Sequence, residues 1–105
     1  MDAAAARKHL ERPEISAPLA ALRDAYAGQP FEPAALETTL RNVADAHGVK
    51  AAALIHATRV AVTGRAVSPG LFEILELLGP ERTLARLDAA LERCRRPPGG
   101  QQLPT

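Results

Sequence analysis

The chain has 105 residues, of which 47% are hydrophobic and 3% aromatic, and its net charge is +1. This length fits one domain with a modest core, and the near-neutral charge gives no strong electrostatic indication of nucleic-acid binding. Cys94 is the single cysteine, which excludes an internal disulfide. No apolar run approaches the roughly 18 residues that span a bilayer, and the first residues lack the order of a signal peptide. We therefore expect a soluble, cytoplasmic protein.

Residues 3–48 predict three helices. Residues 3–11 form a short helix that stops before Pro13, because the residue before a proline disfavours helical backbone. Ser16 is a suitable N-cap for the second helix, which ends at Gly28. The third helix starts near Pro33, whose missing N–H costs nothing in a first turn.

The next helix follows Gly48, a glycine typical of a left-handed helix stop, and ends at Gly64. Its last residues, 59–62, either continue the helix or form a short second one. Beyond Gly64, Ser68 and Pro69 have the order of a cap and a first-turn proline, and they start another helix.

That helix ends at Gly79, and Pro80 opens the last one. The sequence thus predicts an all-α fold, a compact multi-helical domain of about six short helices. We expect an N-terminal lead-in over residues 1–14, the helical domain over 15–96, and a disordered tail over 97–105, which is rich in proline, glycine and glutamine.

Residues able to support catalysis or bind metal are sparse. The three histidines, His9, His47 and His56, are far apart and lack ligand partners at helical spacing. Cys94 is flanked by arginines, which lower a thiol pKa, but it has no adjacent base. No phosphate-binding loop or nucleophile elbow occurs. We expect no catalytic site, no metal and no cofactor.

The segment RVAVTGRAVSPGLF, residues 59–72, carries more chemistry than a turn requires. Arg59 and Arg65 offer forked donors on either side of Gly64. The helix start at 68–71 offers free N–H groups and the apolar face of Pro69. This combination suits unstacked RNA bases. In the simpler interpretation the glycine and serine are helix caps and the arginines pair with carboxylates.

The run RVAVTGRAVSPGLFEILELLGPERTLARLDAAL resembles the C-terminal part of bacterial glutamyl-tRNA synthetases. The similarity rests on the Thr-Gly pair, the segment Ser-Pro-Gly-Leu-Phe-Glu at 68–73, the Leu-Leu-Gly turn at 77–79 and the leucines of the last helix. It extends over about residues 15–95. In that family this segment is the distal part of the helical anticodon-binding domain.

The resemblance implies which residues contact the anticodon. Arg59 would hydrogen-bond a base edge. Ser68 and the N–H groups near it would also bond a base, and Pro69 and Leu71 would press apolar surface on a base. Arg65 is not a fixed feature of the family pattern and ranks below them. Thr58 stands where the family usually has leucine.

The resemblance also implies a function without catalysis, because the family's nucleotide-binding and catalytic motifs are absent from these residues. We expect a module that binds the anticodon loop of a glutamate-type tRNA. It would act within a synthetase or beside one, and would need no membrane. The alternative is a protein-interaction or accessory module that docks on a synthetase or another enzyme and has reduced or lost RNA binding.

Overall fold

The computed structural model describes residues 2–95, and every regular element in that range is helical. The elements, in order, are α1 (Ala3–Ala5), which continues as a π-helical turn (Ala6–Leu10), α2 (Pro13–Tyr26), α3 (Pro33–Ala46), α4 (Ala51–Thr63) and α5 (Leu71–Arg95). Helix α5 breaks at Gly79, where φ is 80° and ψ is 169°, so it forms two halves that match the two helices predicted there. The expected all-α fold of about six helices is confirmed. The tail predicted at 97–105 lies outside the described residues.

Helix α2 begins earlier than the sequence suggested. Arg12 has extended backbone at the N-cap position and Pro13 lies in the first turn, where a proline loses no hydrogen bond. The prediction that Ser16 caps this helix is wrong, since the helix already begins at Pro13 and Ser16 lies inside it. Pro18 is therefore inside the helix.

The core is built from the inner faces of all these elements. Fully buried leucines come from α2, α3, α4 and α5, namely Leu19, Leu22, Leu36, Leu40, Leu54, Leu75 and Leu87. The N-terminal segment joins the same core through Ala5, Ala6 and Leu10. Tyr26 is also fully buried, and its hydroxyl donates to the carbonyl of Leu36 at 2.9 Å. Burial away from water raises the pKa of Tyr26, because an apolar environment disfavours the charged phenolate.

Helix α4 forms a central element that contacts α2, α3, α5 and the π-helical turn. It runs without interruption to Thr63, which decides between the two interpretations left open for residues 59–62. Thr58 is fully buried, and its hydroxyl donates to the carbonyl of Leu54 at 2.7 Å. Because this bond satisfies the hydroxyl, threonine fits at the position where a leucine was expected.

The start of α5 also differs from the prediction. The helix begins at Leu71, and the carbonyl of Gly70 accepts the first helical bond, from the N–H of Ile74, at 3.2 Å. Gly70 is therefore the capping position, and Ser68 and Pro69 precede the helix instead of capping and opening it. This shift makes residues 64–70 a separate connector between α4 and α5.

Candidate nucleic-acid interface

The connector, residues 64–70, begins with a turn that several hydrogen bonds hold in place. Gly64 has a left-handed backbone with φ of 77°, and its N–H donates to the carbonyl of Val60 at 2.8 Å. The hydroxyl of Thr63 donates to the carbonyl of Arg59 at 2.7 Å and accepts from the N–H of Arg65 at 3.1 Å. The Thr-Gly pair thus ends α4 in one defined direction.

Arg59, near the end of α4, bonds to a residue at the other end of the connector. Its Nε donates to Oγ of Ser68 at 2.9 Å, and the Ser68 hydroxyl donates onward to the carbonyl of Pro69 at 3.0 Å. The structure therefore brings together three of the residues predicted for the site. With Nε bonded to Ser68, the two terminal amino groups are the other donors of the Arg59 guanidinium, and Pro69, the next residue after Ser68, is exposed.

Leu71 lies in a different environment from the one that the sequence suggested. Leu71 is 2% exposed and belongs to the core. The side chain therefore does not present apolar surface to a base in this conformation, and the contact of Leu71 with an anticodon base stays a prediction. The apolar face at the end of the connector comes instead from Pro69, and from Val67, which is 84% exposed.

Arg65 is exposed and borders an open cavity of about 760 Å³. The cavity is lined by residues from the turn and by one from the start of the chain: Asp2, Thr63, Gly64, Arg65, Ala66 and Val67. The Asp2 N–H donates to the Gly64 carbonyl at 2.9 Å. This contact places a carboxylate in the site, and local sequence pattern gave no signal of it because the two residues are far apart in the chain.

The N-terminus of α5 carries its own anionic group. Glu73 lies in the first turn, and its Oε1 occupies the space in which a Cβ at Gly70 would lie. A carboxylate in a first turn interacts favourably with the positive end of the helix dipole. The free N–H groups expected there are therefore shielded from a second anion, and an uncharged base edge suits them better than a phosphate.

Two histidines that are far apart in sequence meet in the structure. The rings of His9, on the π-helical turn, and His56, on α4, have centroids 5.0 Å apart. Burial lowers the pKa of His9, and the nearby charges of His56, Lys8 and Arg12 lower it further. Packing of the π-helical turn on α4 creates this pair, which sequence spacing alone does not reveal.

Neither this histidine pair nor any other cluster within residues 2–95 provides the ligands of a metal site. Residues 2–95 contain no group of three or more histidine, cysteine or acidic side chains placed to hold an ion. The Sγ of Cys94 donates to the carbonyl of Leu10 at 3.1 Å, so this thiol helps attach the end of α5 to the N-terminal segment. None of the helices described is long and apolar enough to cross a membrane.

Comparison with known proteins defines the class to which this fold belongs. Residues 1–91 match the family described as "Anticodon binding domain", and the chain belongs to that family. The resemblance to the anticodon-binding domain of glutamyl-tRNA synthetases is thereby confirmed.

Individual relatives agree with this assignment. Over 80% of its length the chain is 47% identical to a glutamate–tRNA ligase of Moorella thermoacetica, and over 81% it is 43% identical to one of Desulforudis audaxviator. It spans only 17% and 18% of those two proteins. In structure it matches a glutamate tRNA ligase of Elizabethkingia meningosepticum with a TM-score of 0.83, over 90% of this chain and 19% of that one, at 22% identity. The last match establishes the shared fold.

Proposed function

We propose that this domain binds the anticodon loop of a glutamate-type tRNA through the connector, and that it carries out no chemistry itself. Aminoacylation would belong to a catalytic region outside these 105 residues, with which the domain acts in the cytoplasm. The observation that supports the proposal most directly is the hydrogen bond between Arg59 and Ser68. It holds a cationic fork beside an exposed proline, in a domain of the anticodon-binding family.

The chemistry of the connector suits a single unstacked base. Proteins read RNA loops by splaying bases out, stacking them on flat side chains and bonding their edges. The terminal amino groups of Arg59 would donate to a base edge, and the ring of Pro69 would cover the base face. The N–H groups at the start of α5 would add neutral donors to the same base, since Glu73 already supplies the anion there.

Charge distribution along the chain supports the same surface. No Asp or Glu occurs between Asp45 and Glu73, a stretch that contains all of α4 and the connector. Within α4 and the connector the charged side chains are therefore cationic, which favours a phosphate-rich ligand, while Asp2 borders the connector in space and Glu73 follows it in sequence. The net charge of +1 hides this local asymmetry, because the acidic residues lie on other elements.

A titration of a labelled anticodon stem-loop tests the proposal. The wild-type chain should bind a loop with a glutamate anticodon at low salt, and it should prefer this loop over one with an altered anticodon. Arg59→Ala should weaken binding by roughly tenfold or more, because a hydrogen bond to a charged group contributes about 1.5–3 kcal/mol.

Arg41→Ala is the matched control, since Arg41 lies on α3 and pairs with Glu37 at 2.9 Å. It removes one positive charge far along the chain from the connector and should change affinity little. If the wild type fails to bind, or if both variants bind as well as the wild type, the proposed function is wrong.

A further inference from the structure

The arginines of this protein divide into two groups by what their guanidinium groups contact. One group forms ion pairs with carboxylates: Arg12, Arg23, Arg41 and Arg93. In the other group Arg59 and Arg86 donate to uncharged oxygens. Arg7, Arg65 and Arg82 also form no ion pair within the part of the chain that the structure describes. The arginines around the connector are thus among those whose charge is not neutralised.

Arg86 reaches the last turn of α4, just before the connector, from the second half of α5. Its Nη1 donates to the carbonyl of Val62 at 2.5 Å, while the residue as a whole remains exposed. Val62 lies in the last turn of α4, three residues after Arg59, which corresponds to about 5 Å along the helix axis. Arg86, which is exposed as a residue, therefore lies beside the last turns of α4, which also carry Arg59.

Arg82 extends this cationic surface along α5. It is exposed and precedes Arg86 by four residues, so both side chains lie on one face of the helix with Cβ atoms about 6 Å apart. The nearest acid after them, Asp88, is engaged by Nε of Arg23 at 2.9 Å. Glu81 is adjacent to Arg82 in sequence, and adjacent residues of a helix do not face each other.

We infer that Arg82 and Arg86 form a phosphate-binding strip that holds the RNA backbone beside the nucleotide contacted by Arg59. This inference rests on the proposed function and assigns it a second contact of different chemistry. Phosphate contacts fix the position of a nucleic acid without reading its sequence, whereas base contacts discriminate. The connector would therefore supply specificity, and the strip would supply salt-sensitive affinity.

Salt dependence separates the two roles. Each phosphate contact contributes about 0.7 to 0.9 to the slope of log affinity against log salt. Arg82→Gln should reduce that slope by about this amount and weaken binding about three- to tenfold at low salt. It should leave the preference for the glutamate anticodon unchanged. Arg41→Gln removes the same charge from an ion pair on α3 and should leave the slope close to that of the wild type.

Arg86 requires a comparison of two variants, because its side chain also donates to a backbone carbonyl of α4. Arg86→Lys should keep the slope, since the charge remains, whereas Arg86→Gln should reduce it. Thermal unfolding of both variants by circular dichroism identifies any loss that comes from the missing Val62 contact.

The outcomes distinguish this inference from the proposed function. If Arg59→Ala abolishes anticodon preference but Arg82→Gln has the same salt slope as Arg41→Gln, the strip is wrong and the anticodon function stands. If Arg82→Gln alters preference among anticodons, Arg82 reads a base and the assignment to phosphate is wrong. If the wild type binds no stem-loop, both proposals fall together.

Discussion

Arg59 and Ser68 are joined across the turn after α4 by a 2.9 Å hydrogen bond from Nε to Oγ. This bond fixes the guanidinium before any ligand arrives, so it reduces the conformational entropy that binding would otherwise cost. Ser68, which the sequence predicts both as a helix cap and as an anticodon contact, here accepts the bond that orients the arginine.

Ser68→Ala should therefore weaken binding of the anticodon stem-loop by roughly three- to tenfold, through loss of about one hydrogen bond's contribution. Ser68→Thr keeps the hydroxyl and should bind close to wild type. Fluorescence titration of the three proteins at one salt concentration measures the effect. Equal affinities for Ser68→Ala and wild type would show that the bond does not prepare Arg59 for RNA.

Leu71 and Leu77 provide a test of which side chains the first half of α5 buries. Leu71 is 2% exposed and Leu77 is 84% exposed, although both lie in the first half of α5. Leu71→Ala should lower the free energy of unfolding by about 3 kcal/mol, because it leaves a cavity in the core. Leu77→Ala should change it by less than about 0.5 kcal/mol. Urea denaturation measures both, and a Leu71→Ala variant with unchanged stability would contradict the burial of this side chain.

Gly64 is the residue whose backbone sets the direction of the connector. With φ of 77°, an alanine at this position should destabilise the fold by roughly 1–2 kcal/mol, because Cβ is unfavourable in left-handed backbone. Gly28→Ala is the matched control, since a Cβ at Gly28 would meet no neighbouring atom within 4 Å and the φ of this glycine is not positive. Thermal unfolding should show a lower midpoint for Gly64→Ala alone. Equal midpoints for the two variants would contradict the strain.

His9 should make stability depend on pH. Its pKa in the folded protein is lowered from 6.5, first by burial and then by His56, Lys8 and Arg12. The unfolded chain therefore binds a proton more readily, so the contribution of His9 to stability is fully present above its ordinary pKa of 6.5 and is lost as the pH falls toward the lowered pKa of the folded state. The loss levels off below the lowered pKa of the folded state.

Urea denaturation of the wild type and His9→Gln across this pH range measures the effect. The wild type should lose stability on acidification, and His9→Gln should lose less. His47→Gln, at an exposed position after α3, should follow the wild type. Parallel curves for His9→Gln and wild type would rule out the linkage.

The sequence allowed prediction of the helices and of the turn, but not of which side chains the turn exposes. Glycine and proline mark helix ends locally, so Gly64 and Gly79 were identified correctly. The predicted start of α5 lies two residues too early because Ser68-Pro69 has the composition of a cap, whereas the helix begins at the buried Leu71.

Contacts between distant residues were beyond local pattern analysis. The approach of Arg86 to Val62, of Asp2 to Gly64 and of His9 to His56 depends on how whole helices pack. Each pair is separated by many residues, and neither member carries a signal for the other. Family resemblance supplied the candidate residues of the site, and the structure then separated Arg59, with its serine partner, from the buried Leu71.

The turn after α4 is held by bonds from three directions: within α4, from the first residues of the chain and from the second half of α5. A turn held by these hydrogen bonds has little freedom to change its conformation around a ligand. In an encounter with RNA, the nucleotide would be the partner that changes shape, by leaving its stack to meet a surface already formed. Loops whose bases unstack easily should then associate faster than rigid ones, and the flexibility of the RNA would set the rate of recognition.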